Sequence, residues 1–209
     1  MTPNFTLLLV SAIVFAVAVL VFVWWRFGGP DTLAFVIVSG GFTAIMDFIS
    51  AFVARNYEYP GQSHLWVFVY ILFGWIGISG SCLFVAEGIL AKRGCDVLSQ
   101  PNLWWRVPLA TGLIAVLVDL FIDPIAVSIG YWVWFVRGNV YYGIPLLNFV
   151  GWFVLMFFAP LAWIVIAKRR HWGYAKKAVA SIASFVPLFA ASVLLSMAVN
   201  GIVAALGLR

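Results

Sequence analysis

The sequence predicts an all-α, polytopic membrane protein: a bundle of about six spanning helices plus one interfacial or re-entrant segment at residues 124–143. Of the 209 residues, 65% are apolar and only 9% are charged, which leaves too little polar surface to cover a soluble domain of this size. Six apolar stretches approach or exceed the ~20 residues that a spanning helix needs. They take up most of the chain, so we expect residues 1–209 to form one integral-membrane domain.

In chain order the predicted spans are Phe5–Trp25, Leu33–Val53, Leu65–Leu90, Val107–Ile122, Ile144–Ala167 and Ala178–Leu206. The first follows an uncharged start, which does not fit a cleaved signal peptide, so we expect it to remain as a spanning helix. The fourth is predicted to end at Asp123, because Pro124 disfavours helical geometry in the residue before it. The segment 124–143 contains an apolar patch too short to span, and its density of Trp, Tyr and Gly is typical of a membrane interface.

Basic residues divide unequally between the two sets of loops that six spans create. Nine lie in one set and three in the other, so we expect the richer set to face the cytoplasm and both termini to lie outside. The richer set is Arg26, Lys92, Arg93, Arg106, Lys168, Arg169, Arg170, Lys176 and Lys177, and the poorer set is Arg55, Arg137 and Arg209. The net charge of +5 therefore indicates a multi-pass protein of the cell or inner membrane rather than a partner of nucleic acid.

Four of the seven acidic residues lie inside or at the edge of apolar stretches, where a carboxylate costs at least ~2.5 kcal/mol. Asp119 and Asp123 are four residues apart and share one helix face, and Asp47 lies at the same predicted end of the bundle. Glu87 falls toward the opposite end. We take all four as candidate catalytic groups, because a carboxyl shielded from water can act as a general acid while a second one acts as a base.

Simpler interpretations remain for two of these acids. Asp123 lies near a helix end, where a carboxylate can be hydrated at the membrane interface. Glu87 has no basic residue within one helical turn, and its side chain could reach toward Lys92 and Arg93 just beyond.

Aromatic residues follow the acidic pair along the chain. The candidate substrate-binding residues are Trp132, Trp134, Tyr141, Tyr142 and Asn148, together with Tyr59 from the short loop 55–61. Aromatic faces attract cations, which suits a polyene or a carbocation, although a generic interfacial belt is the simpler alternative. Asn148 begins a long apolar helix, where an amide needs a hydrogen-bond partner.

Metal chemistry has little support in the sequence. An aspartate pair also fits Mg²⁺ with a diphosphate, but only Arg55 and Arg137 could supply supporting cations on that side. The cysteines and histidines lack the spacing of metal ligands. We therefore expect neither a metal nor another cofactor.

Three stretches, 123–134 (DPIAVSIGYWVW), 141–145 (YYGIP) and 148–152 (NFVGW), resemble the membrane carotenoid biosynthesis protein family. Its characterised members are carotenoid hydratases, among them bisanhydrobacterioruberin, lycopene and γ-carotene hydratases. The resemblance is specific over residues 119–152 and looser over 47–90. It implies addition of water to the terminal isopropylidene double bond of an acyclic carotenoid, without a redox cofactor or metal.

In that reaction Asp119 or Asp123 would supply the proton, and the other carboxylate would hold and deprotonate the water. Tyr142, Trp132 and Trp134 would face the cation. Two alternatives remain open: a non-catalytic carotenoid- or lipid-binding subunit of a larger membrane complex, and a carotenoid cyclase that starts from the same protonation. The expected partners are a carotenoid or other polyisoprenoid, membrane lipid, and further copies of the chain or a larger complex.

Overall fold

The computed structural model describes residues 4–136 and 139–205. Six of its helices are long and apolar enough to cross a membrane, which confirms the predicted helical bundle. The elements in chain order are α1 (Phe5–Phe27), α2 (Gly29–Phe35), a first π-helix (Val36–Phe42), α3 (Thr43–Phe48), a second π-helix (Ile49–Val53), β1 (Tyr57–Glu58), α4 (His64–Leu90), α5 (Leu103–Ile129), β2 (Val133–Trp134), β3 (Asn139–Tyr141), β4 (Ile144–Pro145), α6 (Leu146–Ala167), α7 (Tyr174–Ala183) and α8 (Phe185–Ala205).

The two ends of the bundle differ in composition. We call the end that carries the loops 54–63 and 130–145 the aromatic end, and the opposite end, with the loops 91–102 and 168–173, the basic end. The direction in which these ends face across a membrane stays a prediction. Two basic residues used in that prediction, Arg137 and Arg209, lie outside the described residues.

The predicted end of the fourth span was wrong. α5 continues through Pro124 to Ile129, so Asp123 lies inside the helix and the non-helical segment begins only at Gly130. Pro124 removes a single backbone donor, and the helix stops where Gly130 adopts a left-handed conformation (φ +85°) and its N–H reaches the carbonyl oxygen of Ala126. The following span likewise begins at Leu146 rather than Ile144, because Pro145 is extended and precedes the first helical turn.

The last predicted span is present as one of the six candidate spanning segments, Tyr174–Val199, and α7 and α8 meet within it at Ser184. α7 ends at Ala183 and α8 begins at Phe185, with Ser184 in a turn between them. The irregularity at Ser184 lies one turn before Pro187, which has no N–H to offer the carbonyl of Ala183. α8 then packs mainly on α6 and remains at the side of the bundle.

Glycines let neighbouring helices approach closely. A Cβ atom at Gly80 of α4 would lie 2.2 Å from Val19 Cγ1 of α1, and one at Gly77 would lie 2.5 Å from the ring of Phe15. On α5, a Cβ at Gly112 would lie 2.9 Å from the ring of Phe153 in α6. Small residues are the usual means by which membrane helices come into van der Waals contact, because lipid supplies no hydrophobic force between them.

The contact at Gly80 predicts a stability effect. Gly80→Ala should lower the free energy of unfolding by about 1–3 kcal/mol, because Val19 is a stiff, branched side chain with little room to move. Gly88→Ala on the same helix meets no atom within 4 Å and should be neutral or stabilising. Thermal unfolding in detergent, followed by circular dichroism, measures both, and equal melting temperatures for the two variants would contradict the assignment.

Candidate active site

Two aspartates and one asparagine form a buried centre between α5 and α6. Asp119 and Asp123 lie one turn apart on α5, with residue exposures of 0% and 2%. Asn148, in the first turn of α6, donates from Nδ2 to Asp119 Oδ2 at 2.6 Å and to Asp123 Oδ2 at 2.8 Å. One amide nitrogen carries two hydrogens, so it can serve both carboxyl groups and hold them side by side.

The two carboxyl groups differ in what they reach. Asp123 lines a chamber inside the bundle, whereas Asp119 lies behind it. Within the described part of the chain, Asp119 Oδ1 is buried and has no hydrogen-bond partner. Since one nitrogen of Asn148 binds an oxygen of each group, the two carboxyl groups lie side by side. A single proton held between them would reduce both the charge repulsion and the number of unpaired oxygens.

The chamber has a volume of about 840 Å³ and a wall that is mostly apolar. It is lined by parts of α1, α3, the second π-helix, α4, α5, α6 and α8, and by the loops of the aromatic end. Its aromatic lining residues are Phe15, Tyr57, Tyr59, Tyr70, Trp75, Trp132, Trp134 and Trp152. Such a cavity, with few polar groups on an apolar wall, is typical of a site for an apolar small molecule.

A third carboxyl group lines the chamber from the second span. Asp47 lies in α3, and its Oδ2 accepts a hydrogen bond from Trp75 Nε1 at 2.8 Å. The Trp75 ring packs on Trp152, with 4.9 Å between ring centroids. Asp47 is flanked by the two π-helices, and π turns inside helices are frequently found at functional sites.

Two short strands close the aromatic end above the chamber. β1 pairs antiparallel with β2, and Phe135 N donates to Asn56 O at 2.8 Å. This pairing places the Trp134 ring 4.6 Å from the Tyr57 ring, and the Trp132 ring lies 5.8 Å from that of Tyr59. Trp132 and Trp134 thereby line the same chamber as Asp123. Among the described residues, Trp134 Nε1 still has no hydrogen-bond partner of normal geometry.

Tyr59 supplies a neutral hydroxyl at the same end. Burial raises the pKa of the Tyr59 phenol well above its usual value, and the nearby carboxyl of Asp47 adds to this effect. The group therefore stays protonated at physiological pH and remains available as a hydrogen-bond donor.

The structure brings most of the predicted site residues together. Asp47, Asp123, Asn148, Tyr59, Trp132 and Trp134 line the chamber, and Asp119 contacts it through Asn148 and Asp123. Glu87, Tyr141 and Tyr142 do not belong to this group.

Glu87 lies at the basic end, far from the other acids along the bundle. Its Oε2 accepts from Arg26 Nη1 at 2.5 Å, and its Oε1 accepts from the backbone N–H of Val97 at 2.5 Å. The side chain therefore joins α1 to the loop after α4. The expected reach toward Lys92 and Arg93 is replaced by an ion pair with Arg26, a residue distant in sequence that local spacing could not reveal.

Tyr141 and Tyr142 lie on the outside of the aromatic end. Tyr142 is 75% exposed and Tyr141 is 38% exposed. Tyr142 and Gly143 both have positive φ angles (+47° and +82°) and form the two-residue turn between β3 and β4. Two-residue turns of this kind need two residues with left-handed backbone conformations. Glycine adopts that conformation without strain, so Gly143 suits the turn, whereas Tyr142 is held in an unfavourable conformation.

Sequence reasoning missed several lining residues, including Trp75, Trp152, Tyr57 and Tyr70. One signal was present for Trp75. It lies in the middle of an apolar span, and a buried indole N–H there needs an acceptor, which Asp47 provides. The packing of Trp152 against Trp75 joins helices distant in sequence and left no such signal.

Comparison with known proteins identifies the family of the chain. The sequence model of a family described as carotenoid biosynthesis protein matches residues 5–208 of the chain. No curated protein and no solved structure matches it.

The amide of Asn148 predicts a measurable energetic coupling. Asn148→Leu removes the donor of two buried carboxyl groups and should lower the free energy of unfolding by about 1–3 kcal/mol for each group left unpaired. The triple variant with Leu at positions 119, 123 and 148 should recover much of that loss, because no polar group is then stranded. Chemical or thermal unfolding in detergent tests this, and a single variant as stable as the native chain would contradict it.

The turn between β3 and β4 predicts a gain in stability. Tyr142→Asn should stabilise the protein by up to about 1 kcal/mol, because asparagine adopts positive φ angles more readily than tyrosine. Tyr141→Asn is the matched control, and it should not stabilise, since Tyr141 lies in β3 and packs on Phe149. Melting temperatures of the two variants test this prediction. A lower melting temperature for Tyr142→Asn would contradict it and show that the tyrosine ring itself stabilises the protein.

Proposed function

Because the chain belongs to the carotenoid biosynthesis protein family, we propose that it adds water to the terminal isopropylidene double bond of an acyclic carotenoid, giving a tertiary alcohol. The observation that carries the proposal is the pair of Asp119 and Asp123, both bound by the amide of Asn148, with Asp123 lining a chamber that has many aromatic rings in its wall. An acid, an apolar ring-lined space and a second carboxyl group are the parts that this chemistry requires.

The first step is protonation of the alkene. Asp123 is the acid, since its carboxyl group lines the chamber and Asp119 lies behind it. The π electrons of the double bond take the proton onto the carbon with one hydrogen, and the positive charge remains on the carbon that bears the two methyl groups. Asp123 is left as a carboxylate, which the N–H of Asn148 stabilises. Asp119 acts through this pair by sharing its proton.

The cation is held by the aromatic wall. Ring faces attract positive charge with about 0.5–2 kcal/mol each, and more when water is excluded. Trp132, Trp134 and Tyr59 line the same chamber as Asp123, which supports this role for their rings. The mostly apolar wall also limits the number of other bases that could reach the cation.

The second step is capture by water. Asp47 reaches the chamber from another helix, and Trp75 holds its Oδ2 while, among the described residues, no side chain donates to Oδ1. That oxygen is suited to hold a water molecule. As an oxygen lone pair of the water bonds to the cationic carbon, one water proton passes to Asp47. The released proton returns to Asp123 through bulk or bound water, so the enzyme is restored and the net change is addition of one water.

Expression in a host that makes lycopene tests the proposed function. The native chain should yield pigment heavier by one or two waters, and Asp123→Asn should reduce the yield at least about 10²-fold, the usual contribution of a general acid. Asp119→Asn and Asp47→Asn should also reduce it. Glu58→Gln changes an exposed carboxyl group on β1 outside the chamber and should leave the yield unchanged.

Pigment mass separates this reaction from its rivals. Cyclisation would change the retention time but not the mass. If pigment binds to the purified protein but is not chemically changed, the result would instead favour a carotenoid-binding subunit. If the Asp123→Asn variant still hydrated the pigment at the native yield, Asp123 would not be the acid.

A further inference from the structure

A second cavity lies beside the chamber, on the side of the bundle formed by α5, α6 and α8. It is a groove of about 620 Å³, and every residue that lines it is apolar. Leu113 and Leu117 of α5 are more than half exposed at its margin. Val150 and Phe153 of α6 and Val199 of α8 form other parts of its surface.

One side chain belongs to both cavities. Val154 of α6 lines the chamber and the groove, and it is only 2% exposed. Around Val154, different residues of α6 face the two spaces. Gly151 and Leu155 line the chamber, whereas Val150 and Phe153 line the groove. The two spaces thus adjoin at Val154.

The dimensions of the substrate require such a second space. The chamber lies within a bundle whose helix axes pack roughly 8–10 Å apart, so it is a few helix widths across. An acyclic carotenoid is a stiff rod far longer than that. Its reacting end needs the acids and rings of the chamber, while the rest of its chain needs a continuous apolar surface.

We propose, resting on the proposed function, that the groove between α5, α6 and α8 binds the polyene chain of the substrate while its terminal double bond lies beside Asp123. Val154, which borders both spaces, is where the chain crosses from the groove to the chamber, and its side chain must move aside to admit the chain. The site therefore selects long, linear polyisoprenoids with an open end, and the groove supplies the binding surface for the part of the molecule that does not react. Entry from the membrane is direct, because α8 packs mainly on α6 and the margin of the groove is exposed.

The test compares the binding and conversion of a long and a short hydrocarbon that share the same end group. The purified full-length chain in nanodiscs is titrated with lycopene, and binding is followed by induced circular dichroism of the polyene. Conversion of lycopene and of farnesene is measured in parallel. Val150→Trp should weaken lycopene binding about tenfold or more while leaving farnesene conversion unchanged, because a pocket obstructed by a bulky group discriminates by at least that factor.

Val165→Trp is the matched control, since Val165 is an exposed residue of α6 outside the groove. A second pair on α5, Leu117→Trp in the groove and Leu109→Trp outside it, gives the same comparison at a site that is already exposed and so tolerates a large ring. Selective loss of lycopene binding in the groove variants supports the proposal. Equal binding in groove and control variants, or an equal loss with farnesene, overturns it and leaves ordinary lipid as the occupant.

The two proposals fail in different ways. A native chain that binds lycopene but hydrates neither hydrocarbon contradicts the proposed reaction, and the binding comparison still decides whether the groove holds the polyene.

Discussion

The side-chain amide of Asn148 is the contact on which the site depends. In a membrane interior a carboxyl group without a hydrogen-bond partner is costly, and this bundle buries two of them on adjacent turns of α5. Asn148 offers both hydrogens of one nitrogen to the pair, so a single side chain of α6 satisfies both groups and fixes the distance between them. The close approach of α5 and α6 at Gly112 brings the amide to this position, which links helix packing directly to the chemistry of the acids.

The acids of the bundle fall into two groups according to their partners. At the basic end Glu87 pairs with Arg26 and Asp31 pairs with Lys177, and both pairs tie separate helices together. At the aromatic end the described residues provide Asp47, Asp119 and Asp123 with amide and indole donors and with no ion pair. A carboxyl group beside a cation has a stable structural role, whereas one beside neutral donors can still gain and lose a proton. That difference in partners distinguishes the structural acids from the candidate catalytic ones.

Much of the architecture could be predicted from sequence because it depends on local properties. Span length and hydropathy are carried by each segment alone, and the four-residue spacing of Asp119 and Asp123 sets their common face wherever the helix packs. The end of α5 was mispredicted because the proline rule describes an isolated helix, while here the helix continues to Gly130. Glu87 was grouped with the other acids because its partner, Arg26, lies on another helix. The role of Trp75 and the exposure of Tyr142 likewise arise from tertiary packing.

The two π-helices of the second span add a constraint of a different kind. A π turn holds one residue more than an α turn, so the same residues Val36–Phe42 wound as a regular α-helix would rotate every later side chain by about 100°. Asp47 would then turn away from Trp75 while the hydropathy of the segment hardly changed. The π winding of this span is therefore as much a part of the site as the identity of its acid.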